Sequence, residues 1–106
     1  MGYVYLIHDS SNNVYKIGVT RVMDGKRLKK LQTGNSTELH LMFYYHTMYP
    51  FRLESMLHNK YKEHNVLNEW YELTEDDVKN FLNTCDDMNE IINSLKDNPY
   101  FNKDLK

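Results

Sequence analysis

Tyr3-Val4-Tyr5-Leu6-Ile7 and Val14-Tyr15-Lys16-Ile17-Gly18-Val19-Thr20 flank the polar stretch Asp9-Ser10-Ser11-Asn12-Asn13, and the reading of these residues decides how the chain starts to fold. Both apolar runs are rich in β-branched and aromatic residues, which pack well on a pleated surface, and the segment between them has turn chemistry. A β-hairpin follows. Side chains alternate along a strand, so Tyr3, Tyr5 and Ile7 share one face and Val14, Lys16 and Gly18 share another. A register that brings these faces together places Tyr5 near Lys16. Gly18, without a side chain, is expected to let a phosphate or a helix approach the surface there.

Working outward, Asp24 caps a helix reaching about Gln32, with Leu28 and Leu31 on its apolar side and Lys26, Lys29 and Lys30 on the others; Gly34 ends it. Residues 38–46 are rich in Leu, Phe and Tyr and read as a third strand. Pro50 suits a helix start, and Leu53, Met56, Leu57 and Tyr61 recur at helical spacing from Phe51 to about His64. Thr74 with Asp77 resembles a capping box, and Val78, Phe81, Leu82, Cys85, Met88, Ile92 and Leu95 continue as one long helix that Asn98-Pro99 stops. The expected class is α/β in the α+β sense, a small three-stranded, mainly antiparallel sheet flanked by helices. Residues 1–98 are expected to form one domain, with 99–106 as a frayed tail.

With 106 residues and 41% apolar content, the chain matches one modest core. Its net charge of −2 hides a segregation. Residues 1–62 hold nine Lys or Arg against four acids, a balance of +5, and residues 63–106 hold four Lys against eleven acids, a balance of −7. A basic front half suits a polyanionic partner, although ordinary solvated faces produce the same count. The single Cys85 excludes an internal disulfide, so an intracellular, reducing compartment such as cytoplasm or nucleus is expected. No apolar run approaches the ~20 residues of a membrane span, and no membrane partner is expected.

The hairpin, Lys26-Arg27-Leu28 in the first helix, Arg52-Leu53-Glu54-Ser55 in the second and the later Glu69-Trp70-Tyr71 together resemble the GIY-YIG nuclease superfamily over roughly residues 3–73. Tyr3-Val4-Tyr5 stands where the first naming motif lies and Lys16-Ile17-Gly18 where the second lies. Gln32-Thr33-Gly34-Asn35 and Glu69-Trp70-Tyr71 look like the short phage- and virus-borne branch often called meiotically up-regulated gene 113-like.

The resemblance implies a metal-dependent DNA endonuclease that hydrolyses phosphodiester bonds. In it Tyr5 assists the attacking water, Lys16 and Arg27 stabilise phosphate charge, and Glu54 holds Mg²⁺, with Mn²⁺ as a substitute. A phenol, ordinarily titrating near 10, needs a nearby cation to act as a base, which gives Lys16 a second task. Gly18, Lys26, Lys29 and Lys30 are the expected DNA contacts. The alternative is a module of the same fold that binds nucleic acid with little or no catalysis.

Two departures stand out: Lys16 replaces the usual Tyr, a replacement that is itself usual in the branch this chain resembles, and Leu31 stands where many members carry His. The family's later Asn has no assigned counterpart. Without the family context, Tyr5 reads as strand packing, Arg27 and Glu54 as solvated helix charges, and Trp70 as a core anchor. Tyr44, Tyr45 and Tyr49 suit edge-strand packing or base stacking, and the five histidines lack zinc spacing.

Overall fold

The computed structural model describes residues 1–32 and 39–95; within the first helix the side chains of residues 27, 28, 31 and 32 are outside the description. Five strands, β1 (Gly2–Asp9), β2 (Val14–Thr20), β3 (Leu39–Thr47), β4 (Asn65–Leu67) and β5 (Trp70–Tyr71), form one antiparallel sheet in the order β3-β1-β2-β5-β4. The helices are α1 (Gly25–Gln32), α2 (Pro50–Lys60), α3 (Glu75–Lys79) and α4 (Phe81–Leu95). Among the described residues no helix is long and apolar enough to cross a membrane.

The α+β class holds, but the three-stranded sheet expected from the sequence is wrong: the sheet has five strands. The missing pair, β4 and β5, is three and two residues long, too short for any alternation to show. Local polar chemistry forms it. Asn68 adopts a left-handed φ of 51°, and the Asn65 side chain donates to the carbonyls of Asn68 (2.7 Å) and Trp70 (3.1 Å), closing the hairpin. The Ile17 amide then donates to Glu69 O at 3.2 Å, joining this hairpin to β2.

The first turn forms as its residues dictate. Asp9 accepts from the Ser11 amide at 3.0 Å, and Asn13 takes a φ of 52°. Pro50 opens α2, where its missing N–H is no loss. That helix ends at Lys60 and passes into a 3-10 turn over residues 62–64, short of the expected His64. The capping box is present, with the Asp77 amide donating to Thr74 Oγ1 at 3.1 Å and the Thr74 amide to Asp77 Oδ2 at 3.0 Å.

The single long helix expected after it is instead two. Asn80 closes α3, its side-chain amide donating to Asp76 O at 2.9 Å, and its own carbonyl starts α4 by accepting from Thr84 at 2.9 Å. Gly34, Asn98-Pro99 and the tail lie outside the described residues.

The sheet separates two apolar groups. On one face Val4, Leu6 and Ile17 pack with Leu53 and Leu57 of α2 and Phe81, Cys85 and Ile92 of α4, joined by Tyr61 and Tyr71. Tyr45 donates to Asp86 at 2.6 Å and Thr47 to Asn89 at 2.6 Å, tying α4 to β3. On the other face a smaller group of Tyr5, Ile7 and Leu39 packs with Met23, Leu41 and Trp70.

Candidate active site

The hairpin register pairs Tyr5 with Gly18 and Ile7 with Lys16, so the Tyr5 and Lys16 faces coincide and the two side chains stand diagonally on one surface. Tyr5 is 3% exposed. A Cβ built on Gly18 would meet Tyr5 Cε1 at 2.9 Å and come closer still to its Cζ and hydroxyl. The opening expected over Gly18 is therefore filled by the ring of its own cross-strand neighbour. Lys16 in turn pairs with Trp70 of β5, which packs against the Tyr5 group.

A second set of polar groups meets Lys16 from the other side. Lys16 Nζ lies 3.8 Å from Glu69 Oε2, just before β5, and the charges of both act on Glu54 of α2. Glu54 is half-buried, with His58 Nε2 at 3.6 Å from its Oε2 one helical turn on. His58 Nδ1 is hydrogen-bonded to the Tyr71 hydroxyl, and the two rings are tilted at a centroid distance of 5.3 Å. Burial pushes the Glu54 carboxyl above its ordinary value, opposed by His58 and Lys16 and reinforced by Glu69. Burial also raises the Tyr71 phenol, with Glu54 and Glu69 adding to the shift and a hydrogen bond from Asn65 opposing it.

The predicted residues thus fall in two groupings that meet at the seam where β2 pairs with β5. Tyr5, Gly18 and Lys16 share one sheet face; Glu54 rises from the helix that covers the other face, and Lys16 is the residue common to both surroundings. Lys26, Lys29 and Lys30 are exposed on α1, which packs against β3. The backbone of Arg27 belongs to α1; its side chain lies outside the described residues, as do those of Leu28 and Leu31.

Mg²⁺ is a hard cation that keeps several waters and usually takes only one or two protein carboxylates plus substrate phosphate oxygens. Among the described residues no three His, Cys, Asp or Glu side chains gather as a ready-made cage. Glu54 nevertheless fits the sparser requirement. Among the described residues its desolvated carboxylate has a histidine at ion-pair distance and no lysine or arginine, and a divalent ion there would offset the cost of burying its charge.

Sequence reasoning left His58, Tyr71 and Glu69 without roles. Glu54 and His58 are four residues apart on a helix, a spacing that places them side by side and was legible once α2 was assigned. Tyr71 and Glu69 could not be placed without the short β4–β5 hairpin.

No curated protein and no solved structure matches the chain. The family model described as the T5orf172 domain matches residues 2–86, a span that contains the hairpin, α1, α2, the β4–β5 hairpin and every candidate residue above. The chain therefore belongs to the T5orf172 domain family, whose nuclease-related character makes it a nuclease-like module with DNA as the expected partner.

Proposed function

We propose that the protein is a metal-dependent DNA endonuclease of the GIY-YIG type, related to the short phage- and virus-borne branch, hydrolysing phosphodiester bonds at the seam between β2 and β5. The observation that carries this reading is the meeting of two polar groups at this seam, Lys16 with Glu69 on one hand and Glu54 with His58 and Tyr71 on the other, with Tyr5 on the Lys16 face of the neighbouring strand. Residues 1–98 are taken as the working domain.

Glu54 would hold the ion, Mg²⁺ or Mn²⁺, which when bound supplies charge neutralisation to the phosphate. Lys16 places a fixed positive charge at the scissile group, and Arg27 adds a fork of donors from α1. Glu69 holds the Lys16 ammonium at the seam, and His58, fixed by Tyr71, orients the Glu54 carboxylate. Tyr5 relays the proton of the attacking water through its hydroxyl, which lies over Gly18.

The burial of Tyr5, 3% exposed, favours a second reading in which the fold binds DNA without turnover. Incubation of supercoiled plasmid with and without Mg²⁺ or Mn²⁺ separates the two. The nuclease reading requires nicked circles that appear only with the ion, while salt-dependent DNA retention with no nicking under any divalent ion selects the binding module.

A further inference from the structure

The face that carries Tyr5 is closed at one end and open at the other. Around Ile7 and Leu39 it is covered by packing with Met23 and Leu41. Toward the opposite end, Tyr3 pairs with His46 and Tyr5 with Tyr44, so all four side chains share this surface. Tyr44 is 53% exposed, and His46 is exposed beside it. The Tyr3 and Tyr44 rings meet edge to face at 5.8 Å, and the Tyr3 and His46 rings lie 4.9 Å apart. These contacts hold Tyr44 in place and leave half of its surface to solvent.

Charge chooses the occupant. Strands β1, β2 and β3 contain one acid among them, Asp9, which the hairpin turn engages at the far end of β1. Lys16, opposite Ile7 and diagonal to Tyr5, places a cation on this same face. The acidic helix α4 packs on the other face of the sheet. An aromatic surface whose strands place no acid beside Tyr44, which shares its face with Lys16 and is separated from the acidic helix by the sheet itself, suits the bases of a polyanion. Bases in a duplex already stack on each other, so only an unpaired base has a π-face to offer.

We infer that Tyr44, backed by Tyr3 and His46, is a stacking platform for an unpaired base of single-stranded DNA, next to the candidate active site. The inference rests on the DNA-directed reading above and narrows its substrate class to DNA with a single-stranded segment beside the scissile phosphate.

The test uses the full chain in chelator, so that nothing is cut, with a single-stranded oligonucleotide carrying 2-aminopurine and a blunt duplex of the same sequence as competitor. Wild type should quench the fluorophore and prefer the single strand, and Tyr44→Ala should lower that preference about tenfold or more. Tyr44→Phe, which retains the ring, should keep it. Unaltered melting of Tyr44→Ala establishes that the variant is folded.

Equal binding of strand and duplex by wild type, or an undiminished preference in Tyr44→Ala, would overturn the platform. So would concentration-dependent self-association that Tyr44→Ala abolishes with no effect on DNA, since the face would then bind a second copy. Plasmid nicking reads the nuclease proposal separately. Nicking without Tyr44-dependent stacking overturns only the platform, and Tyr44-dependent stacking without nicking supports the platform while overturning the nuclease.

Discussion

Gly18 has one neighbour that explains it, the Tyr5 ring, which occupies the space a side chain would need. The atoms in the way are at the far end of a side chain, which would be cheap to displace if that chain were free, but Tyr5 is packed among Ile7, Leu39 and Trp70. Gly18→Ala should therefore destabilise by about 1–3 kcal/mol, the range for overpacking a filled site. Chemical denaturation would show it, and in a Tyr5→Leu background the same substitution should cost distinctly less, because the two sites share one space. Equal costs in both backgrounds would mean that Tyr5 does not fill the position. Glu54 and His58 belong to this scale as well. Their contact depends only on a four-residue spacing within α2, whereas Lys16 and Glu69 are brought together by chain segments more than fifty residues apart.

At the scale of elements, the junction of α3 and α4 is set by two polar residues. Thr74 and Asp77 satisfy each other's backbone donors, and without the box the short α3 has little of its own to hold it, since none of its residues is buried. Thr74→Ala should cost about 0.5–2 kcal/mol, visible as a lower denaturation midpoint with an unchanged slope. This box was readable from Thr74 and Asp77 because it depends on local spacing. The break at Asn80 was not, because Val78, Phe81, Leu82 and Cys85 keep helical intervals across it and Asn80 signals its cap only through hydrogen bonds. The first three strands announced themselves through their length and their apolar, β-branched and aromatic composition. β4 and β5 did not, since a two-residue strand has no period and is defined by what Asn65, Asn68 and β2 do around it. Part of the candidate site was hidden with them: Tyr71 and Glu69 reach His58 and Lys16 only because that hairpin joins the sheet edge.

Across the whole molecule, the charges segregated along the sequence are only partly separated in space. The acids of α4 lie over the face that α2, with Arg52 and Lys60, also covers, while Lys16 shares the opposite face with Tyr5 and the lysines of α1, in the basic front half of the sequence, are exposed on a helix packed against β3. DNA retention should rest on that basic half. Reversal of Lys26, Lys29 and Lys30 to Glu should abolish it, and milder single substitutions should each lower the log–log salt slope by about 0.9 per lost phosphate contact. An unchanged slope in the triple variant would refute the assignment of these lysines. The decisive proposal is cleavage at the β2–β5 seam, with Glu54 as the ion's carboxylate. Its most direct test is the rate at which wild type and Glu54→Gln nick supercoiled DNA across a Mg²⁺ titration, with DNA affinity measured in chelator. Glu54→Gln should bind DNA at least as tightly as wild type, because one charge repelling phosphate is gone, and should nick slower by orders of magnitude. Equal nicking by the two proteins at every Mg²⁺ concentration would contradict it.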